Sequence, residues 1–414
     1  MRNPARPGVA RPPVFGYFVL PMDNPSPHAG DFGSTARQGP APEAPLEADT
    51  PLVAVAMSGG VDSSVAALLI QRAGYRAVGI TMKLWSPPVP VDGSGCDVDN
   101  PDKTCCTADS AMDAKRVCDQ IGIPHFTLDM QEDFEERVIQ PFYEAYLAGE
   151  TPNPCVNCNS FVKWDALWKR AKAVGADYIA TGHYAMTEEG DGRTHILRGG
   201  DAAKDQSYFL WGIPPETLSK TLFPLARLTK PEVRRLAAEA GLRTAQKRES
   251  MDICFIPKGD YREFIGERAK EKGAAIPEGR MRGPDGKDLG PHQGLPFYTI
   301  GQRKGLGVAA ADPLYVKKLD RATNTLLLGK KDELYCAGFR ADRANFFEPL
   351  AEERECSAQY RYRSPVKSAS VRDEGNGWIT VTLKESGYCV SPGQSAVFYD
   401  GERLLGGARI RETF

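Results

Sequence analysis

From Leu52 to Met57 the chain is apolar without a break; Ser58-Gly59-Gly60 follows, and then apolar positions recur at Val61, Val65, Leu68 and Leu69. An unbroken apolar run suits a strand buried on both faces. The spacing of three and four that follows predicts an amphipathic helix, which Gly74 closes. The same alternation continues downstream: a strand over Ala77–Met82, a helix around Asp109–Ile121, a strand at His125–Asp129 and a long helix over Glu132–Ala148. A further helix is predicted over about Ser160–Val174, then a strand at Tyr178–Thr181, while residues 86–104, rich in Pro, Gly and Asp, predict a loop. Strands alternating with helices imply an α/β fold: a parallel sheet with helices on both faces. Ligands of such sheets sit at the carboxyl ends of the strands, so Met82, the Ser58–Ser63 loop and the Thr181-Gly182-His183 turn are expected on one rim. Thr229-Lys230-Pro231-Glu232 reads as a capping box opening a helix to Ala240.

Beyond about residue 257 the pattern changes. Residues 273–312 are punctuated by Gly and Pro, which suits a small, loop-rich middle domain. From about 335 the pattern alternates, as in Trp378–Leu383, and turns at Asp400-Gly401 between Ala396–Tyr399 and Arg403–Ile410. These are hairpin signals, and they predict a C-terminal antiparallel β-barrel or sandwich. The expected organisation is a disordered leader over 1–50, a catalytic domain over 51–256, a small central domain over 257–333 and a β-barrel over 334–414. The leader is rich in Pro, Gly and Ala, and Asp23, Asp31, Glu43, Glu47 and Asp49 argue against a transit peptide. No apolar span approaches the roughly 20 residues of a membrane helix. The net charge is −2, so global attraction does not drive nucleic-acid binding and a local basic patch is required. Between Arg280 and Lys318 seven Lys/Arg face three Asp/Glu, a local excess of positive charge.

Ser58-Gly59-Gly60 between a strand and a helix lets backbone N–H groups approach an anion closely. The helix adds its positive end, and Ser63 and Ser64 add hydroxyl donors, so the loop is expected to hold phosphate. It is not a Walker loop, and it carries no lysine for a γ-phosphate. The ten cysteines, without a secretory signal, read as free thiols in a reducing compartment. Cys155-x-x-Cys158 lies in Thr151–Asn159, a polar loop just before a helix, the setting that lowers a thiol pKa. Cys254 lies at another polar-to-apolar junction. A zinc site of Cys155 and Cys158 with Cys105 and Cys106 competes with a redox pair and with inert thiols. The inert reading is taken for Cys118, Cys336, Cys356 and Cys389, and favoured for Cys96, Cys105 and Cys106.

The SGGVDSS loop resembles the PP-loop of the ATP pyrophosphatase superfamily. With TPNPCVNCN, ATGHYA at 180–185, KDQSYFL at 204–210, ICFI, GLPFYTIGQRKGLG at 294–307 and RYRSP at 361–365 in order, residues 52–414 resemble the tRNA-specific 2-thiouridylases. That resemblance implies a PP-loop, Rossmann-like catalytic domain in a cytoplasmic enzyme, with tRNA-contacting central and barrel domains. It implies ATP-dependent adenylation of the C2 oxygen of the wobble uridine, then sulfur transfer from a persulfide on Cys254, with AMP and pyrophosphate as products. The sulfur moves directly, or as hydrosulfide freed when Cys158 attacks, and a transient Cys158–Cys254 disulfide is left to be reduced. By position, Ala56, Met57, Ser58, Gly59, Gly60, Val61, Asp62 and Ser63 bind ATP together with Met82 and Gly182. Asp62 either helps hold Mg²⁺ that accompanies ATP or caps the helix. Asn153, Pro154 and Cys155 surround the target base. Some relatives carry aspartate where this chain has Cys155, which leaves Cys158 as the catalytic thiol of the pair. His183, Lys204, Asp205, Gln206, Arg361, Tyr362 and Gln394 are the expected tRNA contacts. The resemblance also implies a persulfide-donating sulfur carrier or cysteine desulfurase as partner. Two other readings change less of the sequence: an amide-forming PP-loop ligase, which leaves both cysteines dispensable, and an RNA-binding protein with a relict nucleotide loop.

Overall fold

The computed structural model describes residues 49–86, 108–249, 253–256, 260–350 and 353–414. The predicted leader up to residue 48, most of the 86–104 loop, and Cys96, Cys105 and Cys106 lie outside the described residues, and the four-cysteine zinc reading with them.

The alternation of apolar strands and helices folds as a parallel sheet. Strands β1 (Leu52–Ala56), β2 (Arg76–Lys83), β3 (His125–Asp129), β4 (Tyr178–Thr181) and, after a hairpin described below, β7 (Thr221–Leu222) stand in the order β3-β2-β1-β4-β7. Every neighbouring pair is parallel. The chain builds outward from β1 to one side and then returns to its other side, so the switch of direction lies beside the carboxyl end of β1. Successive residues of β1 serve opposite layers. Val53, Val55 and Met57 pack with helix α1 (Val61–Arg72), α2 (Ala108–Ile121) and α8 (Lys230–Glu239). Ala54 and Ala56 face the helical run from 131 to 173.

Two sequence expectations change here. Helix α1 is not amphipathic in place, because Ser63, Ser64, Ala66 and Ala67 are buried along with Val61, Val65 and Leu68. It is covered by the sheet on one side and by α2 and α8 on others, and small side chains permit that close approach. The cysteine pair, expected in a loop before a helix, lies in helix already. After α3 (Gln131–Phe134), a π-helical turn (Glu135–Ile139) and α4 (Gln140–Leu147), the next helix starts as α5 (Pro154–Asn157) with Asn153 at its cap. It widens into a π-helical stretch (Cys158–Leu167) and ends as α6 (Trp168–Ala173). Proline at the first helical position needs no N–H partner, which is why Pro154 starts the helix earlier than its apolar periodicity indicates.

The hairpin of β5 (Ala185–Gly190) and β6 (Arg193–Arg198) was not anticipated, although its turn is Asp191-Gly192 with both residues at positive φ, a standard two-residue hairpin signal. A short helix α7 (Pro215–Leu218) precedes β7. The capping box forms as read: the Thr229 N–H donates to Glu232 Oε2 at 2.7 Å.

Helix α9 (Tyr261–Glu271) opens on Asp260, which accepts from the Arg262 N–H at 2.9 Å. Beyond it β8 (Gly279–Arg282), β9 (Asp288–His292), β10 (Tyr315–Asp320) and β11 (Thr325–Gly329) form a four-stranded sheet over Met281, Tyr298, Val316, Leu326 and Leu328. Part of the basic excess predicted here is spent internally, since Arg280 pairs with Asp288 and Lys317 with Glu333. The last six strands are β12 (Tyr335–Phe346), β13 (Glu353–Gln359), β14 (Lys367–Gly375), β15 (Trp378–Tyr388), β16 (Ser395–Asp400) and β17 (Arg403–Thr413). They close into an antiparallel barrel through the pairing of β12 with β17. The β5–β6 hairpin adds to this barrel, β6 pairing with the start of β17. No helix among the described residues is long and apolar enough to cross a membrane.

Candidate active site

A cavity of about 570 Å³ opens at the carboxyl rim of the parallel sheet, beside the switch point at β1. One end is the glycine loop. Ala56, Met57, Ser58, Gly60, Val61, Asp62 and Ser63 line it, with Met82 from β2 and Gly182 after β4. Gly59 lies behind the wall. At φ +71°, a Cβ there would stand 2.2 Å from the Ser110 carbonyl oxygen, so the loop backbone rests directly on the start of α2. Gly182 makes an equally close approach to the first turn of α1, at 2.8 Å from Asp62 and Ser63 backbone atoms. The Ser58 N–H donates to Ser63 Oγ at 3.2 Å, while the Ser64 hydroxyl donates to the Gly60 carbonyl at 2.8 Å. Ser63 is therefore available to the cavity, whereas Ser64 is turned into its own helix.

Asp62 neither caps the helix nor stands alone. It occupies the first turn after the cap residue Gly60, and its two oxygens meet Lys230 Nζ at 2.8 and 2.7 Å. The Tyr184 hydroxyl donates to the same carboxylate at 2.8 Å, and burial together with that negative charge pushes the phenol well above its usual range. Lys230 also contacts Glu249 at 3.0 Å, and Lys204 contacts the other oxygen of Glu249 at 2.6 Å. Burial works to raise the Glu249 carboxyl, but the two ammonium groups hold it below the ordinary value. The loop has no lysine of its own; the fold brings one from α8. Lys163, Lys204, Lys230, Lys247, Arg248 and Arg363 line the cavity against Asp62 and Glu249, a surplus of positive charge that suits a polyphosphate.

The other end holds the thiols. Cys155, Cys158 and Cys254 all line the same cavity, with Pro154 and Phe209. Cys254 is tethered by its neighbour Phe255, which is 1% exposed and packs edge-on against Phe134, Phe142 and Phe264 at 5.7, 5.1 and 5.4 Å. Asn153 bonds the Tyr208 phenol. The turn that carries it is held from the barrel: Gln394 Nε2 donates to the Thr151 carbonyl at 2.8 Å, and the Thr151 N–H donates to the Pro392 carbonyl at 2.8 Å. The thiols read as inert fit that reading. Cys118 and Cys356 are pushed up to about 12 by burial, and burial raises Cys336 and Cys389 as well.

Of the expected tRNA contacts, Pro154, Cys155, His183, Lys204, Gln206 and Tyr362 line the cavity. His183 bonds Thr181 Oγ1 at 2.8 Å and packs on Trp164 at 5.4 Å. Burial, then the nearby Lys163 charge, holds its imidazole well below the usual value and hence neutral near pH 7. Asp205 is neither a solvated turn residue nor turned to the cavity: its carboxylate accepts from Arg198, the Gly199 and Ser207 N–H groups and the Ser207 hydroxyl. Arg361 lies in the turn between β13 and β14 and donates to the Cys389 carbonyl at 3.3 Å, not on the edge strand that its Arg-Tyr-Arg sequence would permit. Gln394 is engaged with the Thr151 turn as described.

Residues 51–258 match a family model described as a tRNA methyl transferase HUP domain, 262–330 a tRNA methyl transferase PRC-barrel domain, and 336–410 an aminomethyltransferase beta-barrel domain. A tRNA-specific 2-thiouridylase MnmA of Thermus thermophilus is 46% identical over 360 residues, covering 87% of this chain and 94% of the relative. The chain belongs to the tRNA-specific 2-thiouridylase family. The relative of that name from Carboxydothermus hydrogenoformans is 44% identical over 364 residues, covering 87% and 97%, and that from Geotalea uraniireducens 45% over 363, covering 87% and 95%.

Seen as a 2-thiouridylase family site, the cavity contains residues that motif reading passed over: Lys230, Tyr184, Glu249 and Lys163. Lys230 had a signal. A lysine in the first turn of a helix opposes the positive end of the macrodipole, so it needs an anionic partner from elsewhere, and Asp62 is that partner. Tyr184 and Glu249 carried no comparable sign.

Proposed function

We infer that the protein is an ATP-dependent sulfurtransferase that converts the wobble uridine of tRNA to 2-thiouridine. The observation that carries this reading is the single cavity in which the phosphate loop and the thiols of Cys158 and Cys254 meet. A relict RNA-binding protein has no use for two thiols at a nucleotide loop, and neither an amide ligase nor a methyl transferase requires them.

In this reading Ala56–Ser63, Met82 and Gly182 hold ATP, with Lys230 at its phosphates. Mg²⁺ bound with ATP would offset charge on the phosphates. Asp62 is the carboxylate of the loop that would meet it, and only by exchanging its bond to Lys230, since no group of three metal-ligating side chains occurs among the described residues. The uridine C2 oxygen attacks the α-phosphate; an O–P bond forms, the bond to the β-phosphate oxygen breaks, and pyrophosphate leaves. The surplus of lysine and arginine stabilises the charge that develops on the leaving group. The terminal sulfur of a Cys254 persulfide then attacks C2 and AMP departs. Cys158 thiolate attacks the Cys254 sulfur, the S–S bond breaks towards the base to leave C2=S, and a Cys158–Cys254 disulfide remains for a thiol reductant. In the alternative order Cys158 attacks first and frees hydrosulfide, which adds to C2. Both orders need the two thiols to come within disulfide reach. Neutral His183 can bond the base without adding a charge, and Asn153, Pro154 and Cys155 border the base. A sulfur carrier or cysteine desulfurase reloads Cys254, and a reducing cytoplasm suits both thiols.

Nucleoside mass spectrometry of tRNA after reaction with ATP and a persulfide donor tests the reading. Cys158→Ser and Cys254→Ser are each expected to abolish 2-thiouridine while ATP binding and the folded spectrum persist. Thiolation retained by either variant would refute the thiol relay.

A further inference from the structure

A second cleft, of about 550 Å³, opens beside the reaction cavity, and Tyr362 and Arg363 line both. Three segments distant in sequence form it: the Ala202–Asp205 loop, the turn between β13 and β14, and the Gly401-Glu402 tip of the β16–β17 hairpin. Tyr362 is the shared wall. Its ring is fixed against Phe209 at 4.5 Å and Tyr208 at 5.8 Å, and the Arg363 guanidinium lies 5.3 Å over its centre.

Packing does not account for the whole lining. Gln359 is 7% exposed; its Nε2 donates to the Ser364 carbonyl at 3.2 Å, but its Oε1 has no hydrogen-bond partner among the described residues. Buried acceptors are ordinarily satisfied, so this oxygen points to an N–H that the protein itself does not supply. An aromatic wall, a guanidinium above it and an unanswered amide oxygen together match a nucleobase with its phosphate. Unstacked bases are held on aromatic rings and arginine planes and read through N–H and carbonyl groups on their edges.

We propose that this cleft is a second nucleotide subsite, which receives the base adjacent to the reacting uridine. The proposal rests on the function inferred above. A base turned out of its stack into the reaction cavity stays one phosphodiester link from its neighbour. The neighbour must therefore be housed close by, and the cleft across Tyr362 is next to hand. Arg363, facing both cavities, meets the phosphate that joins the two nucleotides. The cleft thereby gives the protein a means to read sequence beside its target.

The test uses the full chain and an anticodon stem-loop RNA containing the target uridine, made intact or with an abasic site at the 5′ or the 3′ neighbour, with affinities from fluorescence anisotropy. Wild-type protein is expected to bind one of the two abasic RNAs roughly tenfold more weakly, the size of one lost base–aromatic stack. Val366→Trp grows an indole into the cleft from a site that is 46% exposed and outside the reaction cavity. It is expected to weaken the intact RNA to the same extent, to abolish the difference between intact and abasic RNA, and to leave ATP affinity unchanged. Gln359→Met, which keeps the bulk and removes the acceptor, is expected to reduce that difference. Equal binding of all three RNAs by wild type, or an undiminished difference in Val366→Trp, overturns the proposal. Thiolation of the intact stem-loop by wild type is scored separately: its failure counts against the inferred function, whereas its success with unchanged abasic binding removes the subsite alone.

Discussion

The two ends of the reaction cavity are built in opposite ways. The phosphate end is local, a strand, a glycine turn and the first turn of a helix within Ala56–Ser63, completed by Gly182 and Lys230. The thiol end is assembled at long range. Glu150, before the cysteine turn, pairs with Arg411 at 2.6 Å, and Thr151 is held by Gln394 and Pro392, all from the barrel. Cys254 hangs on Phe255, buried in an aromatic cluster that includes Phe264 of α9. Nucleotide chemistry is thus a property of one motif, while sulfur chemistry is a property of the folded whole.

Substitutions confined to one end can test that contrast. The largest expected effect is that of Gly59→Ala. Its Cβ overlaps the Ser110 carbonyl and its left-handed φ costs a further ~1 kcal/mol or more. ATP affinity, followed by titration with a fluorescent analogue, is expected to fall at least about 100-fold, while alkylation of Cys158 by iodoacetamide keeps its rate. Lys230→Met comes next, with ATP bound roughly 10- to 100-fold more weakly, as for loss of one charge-assisted phosphate contact. Unchanged affinity would show that Lys230 serves Asp62 alone.

Gln394→Leu should act at the other end only. Thiolation in a single-turnover assay is expected to slow about tenfold through misplacement of the cysteine turn, with ATP affinity unaltered. A rise in the tRNA Kd without slower chemistry would instead make Gln394 a tRNA contact. The smallest effect concerns His183. Its folded pKa is lowered, so below the unfolded value of about 6.5 the unfolded state binds a proton that the folded state does not, and stability falls as the pH drops. His125 and His292 are lowered too, chiefly by burial. His183→Asn is expected to flatten the acid limb of a urea-denaturation series by up to one proton, and an unchanged slope would count against a buried neutral imidazole.

The same contrast explains how far the sequence could be read. β1, the glycine turn and β3 were legible because continuous apolar runs and two-glycine turns have few other meanings. Both cysteines of the site were legible through their motifs, but the order that joins them to the barrel was not. Gln394 looks like any polar strand-end residue until the fold places it on Thr151, 243 positions away. The π-helical stretch from Cys158 left no trace in composition, and the helix was read as starting too late because Pro154 opens it among polar residues. The partnership of Lys230 with Asp62 spans 168 positions, and only the awkward charge at a helix start hinted at it.

The β5–β6 hairpin gives the architecture a practical consequence. It leaves the nucleotide-binding half and lies along β17, where Leu404 pairs with Ile196, and Arg198 covers the Tyr399 ring at 3.6 Å. The barrel is therefore not an appendage that can be clipped off to leave a simpler nucleotide-binding fragment. Any truncation that removes it strips a buried arginine and an aromatic partner from the loop that carries Lys204, so the two halves are best expected to be inherited, expressed and lost as one unit.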